Sequence, residues 1–218
     1  MKLLLTSAGV TNNSIASALE SLAGKARGAL RIGFVPTAVY PEAGNKDWFL
    51  AQLANLSRHG FGWVDIIEPT APEVIWRDRL AAVDVVYVSG GNTFYLLAQM
   101  QQVDFGGWLR QGLANKVYVG SSAGSLILTP SIAVVEHLQA DRNLHDTTDL
   151  TGLGLVDFEF MPHAPDDFSF EQIAQYMHTA KHPLYAVDNQ TAVQVVDGQV
   201  SVISEGQWKL FEPGAGAP

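Results

Sequence analysis

Gly120-Ser121-Ser122-Ala123-Gly124 sets a serine between two glycines in the spacing G-x-S-x-G. That spacing is the nucleophile elbow, a sharp strand-to-helix corner that lifts a serine hydroxyl clear of the sheet. A side chain on so tight a corner leaves little room two residues to either side, so glycine is required at both flanks. Ala123 is small, which leaves its backbone N–H able to face a substrate oxygen. Five loosely specified positions also describe an ordinary Gly/Ser-rich turn. Context separates the two readings: Val117 to Val119 supply a strand, and Ser125 to Leu128 begin a helix.

A serine hydroxyl is a poor nucleophile at neutral pH unless a base takes its proton, and the base needs a third group to orient it. The chain has six histidines. His59 ends a helix beside glycines, and His178 and His182 lie at or beyond a helix C-terminus, where a cation suits the macrodipole. The i, i+4 spacing of that last pair lacks an acidic partner on the helix, so no metal site is expected. His137 and His145 fall in a polar stretch. His163 directly follows an apolar strand and Pro162, at the rim where the elbow should open, and is the candidate base. For the acid, Asp188 follows the apolar strand Leu184 to Val187 at the same edge and is better placed than Asp166, Asp167 or Glu159. The order Ser122, His163, Asp188 is not the Ser, Asp/Glu, His order of α/β-hydrolases. It is that of class I glutamine amidotransferases, whose nucleophile is a cysteine.

No cysteine exists in this chain, which excludes disulfides, thiolate metal sites and a cysteine nucleophile. A formal net charge of -9, with no basic cluster, argues against nucleic acid or an anionic membrane surface as partner. Hydrophobic residues at 47% and charged residues at 16% describe a globular protein. Leu3 to Leu5 is too short for the apolar region of a secretion signal, and a cytoplasmic location is the default expectation.

The elements that must position these residues read as a strand-helix alternation. Strands are expected at Lys2 to Leu5, Arg31 to Val35, Trp63 to Ile67 and Val83 to Val88. Helices are expected at Ser14 to Leu22, Lys46 to Leu56, Glu73 to Ala82 and Phe94 to Met100. Val- and Ile-rich strands alternating with helices imply an α/β fold with a mostly parallel sheet covered on both faces, whose ligands belong at the carboxyl ends of the strands. The second half is less regular. Glu136 to Thr151 is polar and without period, Leu155 to Met161 reads as a strand, and Phe170 to Ala180 reads as a helix. Thr191 to Val196 and Gln199 to Ser204 flank Asp197-Gly198, a strong hairpin signal, and Trp208 to Phe211 is expected to extend that antiparallel sheet. One domain over residues 1–213 and a short tail, Gly214 to Pro218, complete the reading.

Gly90-Gly91-Asn92-Thr93-Phe94 with Leu96-Leu97, the elbow, Pro162-His163, and Asp188 ahead of the Asp197-Gly198 hairpin together resemble aspartyl dipeptidase, or peptidase E, and its cyanophycinase relatives. The resemblance implies a three-layer α/β sandwich akin to class I glutamine amidotransferases. It also implies Ser122 as nucleophile, His163 as general base and then acid, and Asp188 orienting His163. It places the oxyanion hole at the backbone N–H groups of Gly91 and Ala123, with Gly90 and Asn92 facing the substrate. Physical reasoning agrees for the glycines, because Gly90-Gly91 closes a neighbouring strand and lets the main chain approach a ligand.

The expected activity is a serine peptidase, dipeptidase-like, that acts on a small peptide or amide with no metal or organic cofactor, as a monomer or homodimer. An inactive binding module on the same fold, or an esterase, are the alternatives. Members of the family that cleave after aspartate carry an arginine downstream of the histidine. Here that segment reads Ala-Pro-Asp-Asp-Phe-Ser-Phe-Glu-Gln, with no arginine and three acids, so Asp-X dipeptides are expected to be poor substrates unless Arg142, Lys181 or Arg77 folds in.

Overall fold

The structure, a computed structural model, describes residues 1–144 and 146–214. His145 and residues 215–218 of the expected tail lie outside the described residues. In chain order the elements are β1 (Lys2–Thr6), α1 (Asn13–Ala23), β2 (Arg31–Val35), α2 (Asp47–Arg58), β3 (Trp63–Ile66), α3 (Trp76–Ala81), β4 (Val85–Val88), α4 (Thr93–Gln102) and α5 (Phe105–Gly112). They continue with β5 (Val117–Ser121), α6 (Ala123–Leu126), α7 (Ala133–His137), β6 (Glu159–Met161), α8 (Phe170–Tyr176), β7 (Leu184–Val187), β8 (Thr191–Val196), β9 (Gln199–Ser204) and β10 (Trp208–Phe211).

Local chemistry sets the boundaries. The Asn12 side chain accepts from the Ile15 N–H at the start of α1, and Gly24 closes it in the left-handed conformation with its N–H on Glu20. Ser169 and Gln172 form a reciprocal capping box at α8. Strand residues alternate between the two faces of the sheet. Leu4, Ile32, Phe34, Tyr87, Val117 and Val119 pack with Ile15 and Leu19 of α1, whereas Leu3, Leu5, Val86, Val88 and Tyr118 pack with the helices of the opposite layer. Both faces are therefore buried, which gives three layers.

The central sheet has the order β3-β2-β4-β5-β1-β8-β9, parallel from β3 to β1 and antiparallel at β8 and β9. The carboxyl ends of β1, β4 and β5 thus open side by side, with the elbow after β5 between the other two. A second sheet, β10-β7-β6, carries β6 parallel to β7. Two strand expectations change here. Trp208–Phe211 does not extend the hairpin but pairs with β7, Trp208 opposite Val187. The strand read over Leu155 to Met161 shortens to Glu159–Met161, because the N–H groups of Leu153 and Leu155 donate instead to Ile127 and Leu128 in the loop after α6. Gly214 is tied to the body through its N–H on the Met177 carbonyl. Among the described residues no helix is long and apolar enough to cross a membrane.

Candidate active site

The corner after β5 is built by exclusion of side chains. A Cβ on Gly120 would sit 2.6 Å from the Ser125 nitrogen, and one on Gly124 would sit 2.2 Å from the Val88 carbonyl oxygen. Between them Ser122 adopts φ 48° and ψ -110°, a conformation that costs a non-glycine residue on the order of 1–3 kcal/mol. Hydrogen bonds to β1 hold it there: Ser122 N–H donates to Thr6 O at 2.9 Å, and Ser125 Oγ donates to the same oxygen at 2.8 Å. The Tyr118 hydroxyl anchors the far side on the Gly124 carbonyl at 2.6 Å.

His163 comes from the loop after β6, itself at positive φ (61°), and its Nε2 lies 3.1 Å from Ser122 Oγ. Its Nδ1 lies 2.8 Å from Asn189 Oδ1. An amide oxygen accepting at Nδ1 assigns the ring proton to Nδ1, so the Nε2 lone pair faces the serine hydroxyl. Ser7, at the end of β1, completes the support. Its Oγ accepts from the His163 backbone N–H at 2.8 Å and donates to Asn189 Oδ1 at 2.8 Å. Ser122 and His163 therefore meet as expected from the sequence.

Asp188 does not join them, and this corrects the expected acid. Its Oδ1 accepts from Gln190 N–H at 3.0 Å and Thr191 Oγ1 at 2.7 Å, and its Oδ2 accepts from Gln207 N–H at 2.5 Å. A carboxylate with three donors is a staple for the turn between β7, β8 and β10, pointing away from the histidine. Its neighbour Asn189 projects to the other side and takes the third position. Asn189 and Ser7 both follow the carboxyl ends of strands, which was the available signal. An amide oxygen fills the place expected of an acid.

Asn92 is likewise corrected as a substrate contact. Its Oδ1 caps α4 on the Tyr95 N–H, and its Nδ2 donates to the Arg142 carbonyl at 3.0 Å, so both ends are used outside the cavity. Gly90 and Gly91 do line it. A Cβ on Gly90 would lie 3.1 Å from the Ser122 Cβ, and one on Gly91 (φ 135°) would strike the Ala38 carbonyl at 2.2 Å. The backbone N–H groups of Gly91 and Ala123 have no acceptor among the described residues.

The cavity over these groups measures about 330 Å³, a size suited to a small ligand. Among the described residues, Glu42, Asp141 and Asp167 are the carboxylates on its wall, and His163 is the one basic side chain. Burial pushes the Asp141 carboxyl above its ordinary range. Hydrogen bonding to Thr93 counters this, the charge of Glu42 adds to it, and His163 pulls it back down. Asp141 belongs to the polar stretch after α7, which thereby supplies part of the wall. The cations named above as able to balance an acidic substrate are elsewhere. Arg77 lies over the Trp76 ring and donates to the Val103 carbonyl, Lys181 lines a different cavity, and Arg142 is not on the wall. No group of three or more His, Asp or Glu that could hold a metal ion occurs among the described residues.

The pattern of peptidase family S51 matches residues 3–203. The chain belongs to family S51. Similar chains include uncharacterized peptidases of Pasteurella multocida, 31% identical with 79% of this chain and 84% of that one covered, and of Listeria monocytogenes, 31% identical with 74% and 80% covered. A peptidase E of Streptomyces coelicolor is 29% identical, with 68% of this chain and 57% of that one covered. The crystal structure of a Listeria monocytogenes protein named "Putative Peptidase E Protein" superposes with a TM-score of 0.77 at 24% identity, covering 94% of this chain and 98% of that one. The fold of that protein is thus shared over almost the whole chain, and membership of family S51 places this protein among the serine peptidases.

Proposed function

We propose that this protein hydrolyses a small peptide or amide through an acyl-enzyme on Ser122. The observation that carries the reading is the 3.1 Å approach of His163 Nε2 to Ser122 Oγ while Nδ1 is held by Asn189. His163 takes the hydroxyl proton as Oγ attacks the carbonyl carbon. The tetrahedral oxygen is received by the N–H groups of Gly91 and Ala123, which are preorganised donors without other acceptors among the described residues. The same imidazole then protonates the leaving amine, and water repeats the sequence to release the acid. Asn189 and Ser7 fix the ring tautomer and plane, and an amide does this without the full negative charge of a carboxylate. The small cavity, lined by Trp48 and Phe168 among others, favours short peptides, in line with a dipeptidase. The protein works without metal or cofactor, in the cytoplasm, as a monomer or homodimer.

Labelling with a fluorophosphonate followed by peptide mass mapping tests this. Adduct on Ser122, absent in Ser122→Ala, is the expected result, and no adduct under conditions that label a control serine hydrolase overturns it. The amide at the third position is the one feature favouring a binding module instead, and that reading requires tight ligand binding with no adduct.

A further inference from the structure

Two buried side-chain oxygens have no hydrogen-bond partner among the described residues, Thr93 Oγ1 and Ser121 Oγ. Thr93 is not on the cavity wall, but Ser121 is, directly ahead of the nucleophile and only 1% exposed. A buried hydroxyl without a partner is costly, and native chains retain few such groups without a use for them. Packing supplies no use here. Ser121 leaves β5 on the same face as Val117 and Val119, in the apolar layer that α1 covers, where alanine would fill the same space without that cost. The surroundings of the hydroxyl are polar but uncharged. The Tyr87 hydroxyl fills the space where a Gly9 Cβ would stand, and Ser121 Oγ lies 3.8 Å from that point. Tyr87 donates to Gln52 Oε1 at 3.2 Å, and its approach to Ser121 falls short of hydrogen-bond geometry. Burial pushes the Tyr87 phenol up, with Ser121 offsetting this only in part, so the phenol stays neutral. An ion lodged beside these groups would be desolvated without a counter-charge, whereas a hydroxyl or carboxamide would be matched.

We propose that Ser121 is a specificity-determining residue whose Oγ hydrogen-bonds a neutral polar side chain, a hydroxyl or a carboxamide, on the acyl residue of the substrate. Placement on the acyl side rests on the hydrolytic reading above, since a carbonyl carbon joined to Ser122 Oγ keeps its own residue next to position 121 through both half-reactions. The preference for a neutral polar group does not rest on it. In the free protein the Oγ is closed to solvent. One torsion, χ1, sets its direction, and with no partner to give up, the hydroxyl turns to the ligand without breaking a hydrogen bond. A polar side chain relieves the cost of the orphan hydroxyl, and an apolar isostere leaves it in place.

Calorimetry on Ser122→Ala measures the preference without turnover. The ligands are two near-isosteric pairs, Thr-Leu with Val-Leu and Asn-Leu with Leu-Leu. In at least one pair the polar member is expected to bind about fivefold or more tighter, and adding Ser121→Ala is expected to bring that ratio to about one. Ser121→Ala by itself should melt at or above the wild-type temperature, because the orphan hydroxyl is removed. Equal binding within both pairs overturns the proposal, as does a ratio that survives Ser121→Ala. A lowered melting temperature overturns it too, since the hydroxyl would then be satisfied in the free protein. Fluorophosphonate labelling of the wild type runs in parallel. Labelling without the ratio removes the specificity and leaves the hydrolase, whereas the ratio without labelling leaves the polar subsite and removes the hydrolase.

Discussion

The turns after β5 and β7 each present one side chain to the same imidazole, and they fix it by opposite means. After β5 the constraint is repulsive. Two glycines are enclosed so closely that a methyl group fits at neither, and Ser122 is driven into a strained backbone. After β7 the constraint is attractive. Three donors saturate Asp188, locking the turn so that Asn189 falls opposite His163 at 2.8 Å. A site whose nucleophile is set by sterics and whose orienting group is set by hydrogen bonds should break differently at its two ends.

The largest effect belongs to the nucleophile itself. Ser122→Ala should lower kcat/KM by about 10³-fold or more with melting temperature nearly unchanged, since alanine keeps the Cβ and the backbone conformation and loses only the hydroxyl. Gly124→Ala attacks the repulsive side of the comparison. With Val88 O at 2.2 Å from the new methyl, it should destabilise by about 2–3 kcal/mol, visible as a lower denaturant midpoint. A midpoint within error of wild type would mean that the corner is not sterically set.

The attractive turn is dissected by a pair of neighbours. Asp188→Ala should cost about 1–3 kcal/mol of stability by orphaning buried donors. Asn189→Ala should shift the denaturant midpoint less than Asp188→Ala and lower kcat about 10- to 100-fold at unchanged KM, because the groups that lose their acceptor are the imidazole and the Ser7 hydroxyl beside it. If Asp188→Ala instead lost kcat at full stability, the roles assigned to the two residues would have to be exchanged.

The smallest effect concerns β6, the strand that leads to His163. Glu159 is 1% exposed, accepts the Tyr176 hydroxyl at 2.6 Å, and is raised by burial to about 7 despite that hydrogen bond. A carboxyl with a folded value above its unfolded one binds more protons when folded. Stability therefore falls as pH rises from about 4.5 to 7, by on the order of 2 kcal/mol. Glu159→Gln should flatten that slope in unfolding curves taken across this range.

The legible parts of this protein were those whose cause is local along the chain. Glycines spaced four apart around Ser122 state a steric requirement wherever they occur. The Val- and Ile-rich strands at Arg31–Val35 and Val85–Val88 are buried on both faces and show it in composition. Asp197-Gly198, at φ 49° and 86°, sits in a turn that needs those residues. Less was legible where a segment's partners lie far away. Leu155 has a strand-like neighbourhood but spends its N–H on Leu128, and Trp208–Phe211 passes over the adjacent hairpin to pair with β7.

Asp188 and Asn189 mark the limit. Sequence alone determined that a polar pair ends an apolar strand at the rim of the site, because hydrophobic runs and their breaks are written in residue types. Which of the two faces His163 was decided by groups at positions 7, 191 and 207, brought together only in the folded chain. A carboxylate's preference for a cationic partner is weaker than three aligned donors already in place, and the tertiary arrangement supplies those donors to one side of the turn only.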